Sequence, residues 1–168
     1  MWYVLQVMSG READLQTLFS FYFDQNLLQD CFSPTYEASY KKAGMRRTVL
    51  RRLFPGYLFL VTDDIQEVEW QLKGIPDMTK ILKVDREYIP LTEAEQAFMQ
   101  QHLNQEHVLP MSRGYQVGDE ICITEGAFAG YQGHLKAVDR HNRYGVISLE
   151  MFGRDVDMQF GLEVVGKA

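Results

Sequence analysis

The sequence predicts an α+β domain followed by a small all-β domain, and three observations carry this. Short, almost wholly apolar runs at Trp2–Met8 and Tyr57–Val61 read as buried strands. Three segments among the first hundred or so residues carry helical spacing with capping signals. Beyond Gly114 the helical spacing is gone, and short strands separated by glycines take its place. The polar stretch "NQEHVLPMSRG" marks the change. The expected organisation is a domain at 1–104, a linker at 105–114 and a second domain at 115–168.

Trp2–Met8 is the opening strand. Ser9-Gly10 then leads into "READLQTLFSFYF", where Leu15, Leu18, Phe19 and Tyr22 fall at helical spacing with Ser9 as candidate cap. Asp30–Pro34 breaks that pattern. Glu37–Lys42 and Met45–Leu53 flank Ala43-Gly44, which predicts a hairpin with a basic tip. In "RRLFPGYLFLV", Pro55-Gly56 is a corner and Tyr57–Val61 a strand. Tyr57, Phe59 and Val61 share one face, and Leu58 and Leu60 the other. Both faces are apolar, so either the chain covers both or one awaits a partner.

Asp63 and Asp64 precede a short helix at "IQEVEWQLKG". Lys80–Val84 reads as another strand. Thr92 with Glu95 has capping-box spacing and opens a helix to about Leu103. Past the linker, "DEICITEG", "GHLKAVD", "YGVISLEMFG" and "DVDMQFG" read as strands. Gly126, Gly130 and Gly133 around Phe128 do not match a phosphate-loop spacing, and no helix follows; they read as a barrel corner.

Composition narrows the function. Hydrophobic residues are 46% and charged residues 24%, a globular composition. Apolar runs reach about five residues against the roughly 20 of a membrane helix. Cys31 and Cys122 are the only cysteines, which points to a reducing cytoplasm and no disulfide framework. The four histidines show no metal-ligand spacing, and no nucleophile motif is present, so no enzyme, metal or cofactor is expected. The net charge is −6, which opposes broad nucleic-acid binding. Yet no acid lies between Glu37 and Asp63, where Lys41, Lys42, Arg46, Arg47, Arg51 and Arg52 gather. Such a segment can address phosphates locally or simply blunt a sheet edge. Lys136, Arg140, His141 and Arg143 near "DRHNRYG" are further candidates, with an ordinary solvated turn between strands as the alternative reading.

"WYVLQVMSGRE", "LFPGYLFL", "GIPDMTKIL" and "IPLTEAE", followed by "VGDEICITEGAFAGYQGHLKAVD" and "EMFGRDVDM", resemble the NusG family of transcription elongation factors along nearly the whole chain. The resemblance implies an N-terminal domain with an antiparallel sheet flanked by helices and a C-terminal KOW β-barrel of SH3-like type. It implies docking on the paired clamp helices of the largest subunit of bacterial RNA polymerase, through Phe54, Tyr57 and Phe59. It implies a partner surface on the barrel, for Rho or a ribosomal protein, at Phe152 and Arg154, with the Phe152 ring either exposed for that partner or tucked into the barrel. Within the family the chain looks most like the specialised LoaP-type paralogues, antitermination factors recruited by an RNA hairpin. The basic residues named above are the candidate contacts, with non-template DNA as another nucleic-acid partner. A general housekeeping factor and a protein adapter without nucleic-acid contact are the alternatives. The second helix begins "IQEV" rather than the His-Thr-Thr-Thr of the RfaH type, so that branch's gate-loop contact is not implied.

Overall fold

The computed structural model describes residues 1–75 and 80–167. Part of the "GIPDMTKIL" segment therefore lies outside the described residues. In chain order the elements are β1 (Trp2–Gln6), α1 (Glu12–Tyr22), β2 (Asp30–Phe32), β3 (Thr35–Lys42), β4 (Met45–Arg52), β5 (Tyr57–Val61) and α2 (Ile65–Leu72). Then come β6 (Lys80–Ile81), β7 (Lys83–Val84), β8 (Glu87–Tyr88), α3 (Glu93–His102), β9 (Val108–Leu109), β10 (Ser112–Val117), β11 (Glu120–Glu125), β12 (Ala137–Asp139), β13 (Tyr144–Met151) and β14 (Arg154–Lys167). The fold is α+β. Two compact units form, 1–33 with 54–97, and 34–53 with 98–168.

In the first unit an antiparallel sheet runs in the order β2-β5-β1-β6. Its central pair holds Tyr3 opposite Leu60 and Leu5 opposite Leu58, with Val4 opposite Phe59 between them. The alternation of side chains sorts these residues onto two faces. Tyr3, Leu5, Leu58 and Leu60 join Leu15 and Phe19 of α1 and Val68 and Leu72 of α2 in one core. Each such burial is worth about 1.5–3 kcal/mol against the entropy of ordering the chain. On α1 only Leu15 and Phe19 of the four expected apolar positions turn inward, while Leu18 and Tyr22 are exposed.

The caps follow local chemistry. Asp64 accepts from the Glu67 amide at 3.1 Å and starts α2. The Thr92–Glu95 capping box forms reciprocally, at 2.7 and 3.1 Å. Ser9 does not cap α1: Arg11 holds the N-cap position without a side-chain bond. Glu12 reaches back instead. Its carboxylate is buried and accepts from the Gly10 amide at 2.7 Å and the Gly56 amide at 2.6 Å. Gly56 sits at φ +83°, with Ser9 Oγ and Val7 O too close to a built Cβ for comfort, so the Pro-Gly corner needs glycine.

In the second unit β3 and β4 form the expected hairpin, with Lys42 opposite Met45. Ala43 (φ +52°) and Gly44 (φ +77°) make its two-residue turn, both left-handed as the strand twist requires. β9 adds to β3 in parallel. The expected linker at 105–114 is thus partly strand, and β10 begins within it at Ser112. The remaining sheet runs β11-β10-β14-β13-β12. The long β14 pairs with β13 through Gly161 and with β10 from Leu162 onward, so one strand carries both halves. Ile123, Phe128, Ile147, Met158, Phe160 and Leu162 fill the interior. The hairpin lies against this sheet. Gln159 donates to the Tyr36 hydroxyl at 3.2 Å, and a Cβ on Gly161 would meet the Glu37 carbonyl oxygen at 2.2 Å.

Candidate binding surfaces

The second face of the first unit's sheet is aromatic. Phe59 stacks on Phe32 with ring centroids 5.4 Å apart and planes 9° from parallel. Phe54 lies 5.9 Å from Phe59, and Trp2 meets Phe32 edge-on at 5.3 Å. The register places Trp2, Val4 and Gln6 of β1 beside Val61, Phe59 and Tyr57 of β5. Phe54 is buried and Phe59 is 0% exposed. Of the three expected contact residues, Tyr57 alone is half-buried, its hydroxyl accepting from Gln6 Nε2 at 3.4 Å. Trp2, Gln6 and Val61 are also half-buried. The face thus has a closed aromatic floor and a partly open rim. The sequence reading missed Trp2, Gln6 and Phe32 as members of this face, although the period-two pattern of Trp2-Val4-Gln6 marks it. It also missed Glu12, whose two bonds hold the corner that delivers Tyr57.

The basic hairpin is the second surface. Along β4, Met45 and every residue from Arg47 to Arg51 are exposed. Lys41, Lys42 and Arg47 are exposed and have no bonded partner among the described residues. Arg46 is engaged: it donates to Ser39 Oγ at 3.2 Å and to the His141 carbonyl oxygen at 2.7 Å. That bond brings the 139–143 turn beside the hairpin, uniting two groups of residues that the sequence left apart. Within the turn, Arg140 donates to Gln116 Oε1 at 3.0 Å, and Arg143 pairs with Glu163 at 3.5 Å. Asp139 accepts from the Asn142 amide and side chain, which hold its carboxyl below the usual range. Lys136 is separate from this group and bound to Asp157 at 2.6 Å.

At the third expected surface, Phe152 (φ +58°) and Gly153 (φ +72°) form the β13–β14 turn. Phe152 is buried at 8% exposure, and Arg154 is exposed. The Phe152 ring is therefore part of the sheet's packing, and Arg154 is the candidate that remains presented to solvent.

Burial, with Asp30 adding repulsion, pushes the Cys31 thiol up to about 12, which makes it a poor nucleophile. Among the described residues no group of His, Cys, Asp and Glu could hold a metal ion. Among the described residues no helix is long and apolar enough to cross a membrane. One charged cluster is structural: Lys83 pairs with Glu69 at 2.8 Å, and Tyr88 also donates to that carboxylate. Burial opposes ionisation of Glu69, but the Lys83 and Tyr88 bonds outweigh it and hold its carboxyl below the usual range.

Fold and surfaces together define an α+β protein suited to binding, with a partly open aromatic rim and a basic hairpin. A profile described as "Transcription termination factor nusG" matches residues 1–115. The transcription termination/antitermination protein NusG of Haemophilus influenzae is 32% identical over 95% of this chain and 91% of its own. That of Escherichia coli is 27% identical over 99% and 96%. The solved structure of Thermotoga maritima NusG aligns with a TM-score of 0.52 at 20% identity, over 95% of this chain and 92% of that one, and so shares its fold. The chain belongs to the NusG family of transcription elongation and antitermination factors, which are not enzymes.

Proposed function

We propose that the chain is a specialised antiterminator of the LoaP type. In this reading it docks on the clamp helices of bacterial RNA polymerase and is recruited in the cytoplasm by an RNA hairpin. The observation that carries the docking is the rim of the aromatic face. Glu12 fixes the Pro55-Gly56 corner, and Tyr57 emerges from it half-buried above a floor of packed rings. Helix-in-groove recognition uses such aromatic anchors beside a desolvated floor. Phe54 and Phe59 are buried and back the strand from beneath, and Tyr57 supplies the contact. The test is binding of the purified chain to polymerase core enzyme. Tyr57→Ala should weaken it at least about tenfold, a loss of about 1.4 kcal/mol, with the fold retained. Unchanged binding would remove Tyr57 from the interface.

The unpaired cations Lys41, Lys42 and Arg47 support the nucleic-acid part, since nothing on the hairpin neutralises them. Arg51 and Arg52 further along the hairpin, and the 139–143 turn beside it, add to its basic charge, and non-template DNA offers the same phosphate chemistry as RNA. A general elongation factor would need no recruiting signal. A pure protein adapter would bind no nucleic acid at all. For the C-terminal sheet we propose Arg154, at the exposed end of the β13–β14 turn, as the contact for a termination-factor or ribosomal partner.

A further inference from the structure

We infer that the β3–β4 hairpin enters a groove of a base-paired nucleic acid and meets phosphates of both strands, one with each face. This rests on the nucleic-acid reading given above. The hairpin's cations come as three adjacent pairs: Lys41-Lys42, Arg46-Arg47 and Arg51-Arg52. Neighbours in a strand point to opposite faces, so each pair divides. The register fixes which face each residue takes. Lys41 lies opposite Arg46, and Thr35 opposite Arg52, on one side. Lys42 lies opposite Met45, Tyr40 opposite Arg47, and Tyr36 opposite Arg51, on the other. Each face therefore carries three cations. A hairpin laid flat on a single strand, or on a protein's acidic patch, would use only one of these sets.

The shape suits insertion. The Ala43-Gly44 turn is two residues long and both residues are exposed, so the tip is narrow and open to solvent. Along β4 exposed residues lie on both faces, Thr48 and Leu50 on one and Arg47, Val49 and Arg51 on the other, while Arg46 and Arg52 are half-buried on the first. The first face gains from Arg46, whose bond to the His141 carbonyl holds the turn bearing Arg140 and Arg143 alongside. A two-stranded ribbon fits the major groove of B-form DNA, about 12 Å wide. The major groove of a regular A-form RNA stem is too deep and narrow for this, so an RNA target needs a bulge or loop that opens it. Duplex DNA and an opened RNA stem offer the same chemistry, phosphates on two walls.

The test uses the full chain and labelled probes in fluorescence anisotropy across a salt series: a mixed-sequence DNA duplex, a bulged RNA stem-loop, and the single strands of each. At least one paired probe should bind about tenfold more tightly than its single strands. Tighter binding of the duplex identifies DNA as the source of the phosphates, and of the stem-loop, RNA. Lys41→Gln and Arg47→Gln sit on opposite faces and are exposed, so neither should disturb folding. Each should lower the slope of log affinity against log salt by about 0.9 on duplex DNA, somewhat less on RNA, one phosphate contact apiece. If only one of the two changes the slope, or single strands bind as well as paired ones, the two-wall arrangement is wrong. If no probe binds, the nucleic-acid reading itself falls.

Discussion

Phe59 tests how the aromatic face is built. Its side chain is 0% exposed and touches the rings of Phe32, Trp2 and Phe54. Truncation to alanine removes a buried aromatic side chain and leaves a cavity among stacked rings that cannot easily collapse. Phe→Ala changes of that kind cost about 3–5 kcal/mol, a large share of the roughly 5–15 kcal/mol that holds a domain together. Tyr57→Ala, at a half-buried position, should cost about 1 kcal/mol or less. Both tryptophans, Trp2 and Trp70, lie in the first unit, so their fluorescence reports its unfolding selectively. With a urea dependence of about 1–3 kcal/mol per molar, Phe59→Ala should lower the midpoint by at least about 1 M. A loss below about 1 kcal/mol would mean that Phe59 is not packed as described, and that the face is open rather than floored. A double variant at Tyr57 and Phe59 would confuse binding with folding, which is why the polymerase test uses Tyr57 alone.

Glu12→Ala strips the acceptor from the Gly56 amide and should cost about 2–3 kcal/mol, read from the same tryptophan signal; a neutral result would mean that the corner holds itself. Glu69 titrates below its usual range in the folded chain, so the unfolded chain binds its proton first as the solution is acidified. The stabilisation is present above the ordinary glutamate pKa and is lost as pH falls through the folded one. The Tm of the wild type should therefore drop more steeply below about pH 4.3 than that of Glu69→Gln, and parallel curves would exclude the effect.

Much of this architecture is legible locally. The Tyr57–Val61 strand, the Ala43-Gly44 hairpin and the Thr92–Glu95 capping box each depend on residues a few positions apart, and each forms as its spacing requires. Features set by distant partners were not legible. Ser9 has the chemistry of a cap, but the Glu12 carboxylate takes up the Gly10 amide, and its second bond goes to a residue 44 positions away. The 105–114 stretch reads as a linker because its composition is polar, yet Val108 and Leu109 find Thr35 and Tyr36 in parallel register, a long-range pairing that periodicity does not announce. For Phe152 the sequence leaves open whether the ring is exposed for a partner or tucked into the barrel. Its left-handed backbone at the β13–β14 turn leaves the ring buried.

The basic hairpin lies between these cases, and it shows what a register adds to a sequence. Counting charge identifies a cluster of six cations in an otherwise acidic chain. It cannot say whether they act together. Pairing Lys41 with Arg46 decides that they do not form one patch, because doublets in a strand must split between faces. Nor are the six equivalent. Arg46 spends two donors on Ser39 and the His141 carbonyl, so its loss should disturb the placement of the 139–143 turn before it removes a phosphate contact. Lys41, Lys42 and Arg47 keep their charge uncommitted among the described residues. Affinity for a phosphate lattice should therefore follow those three residues more closely than the total charge of the hairpin, which is the distinction a salt slope measures.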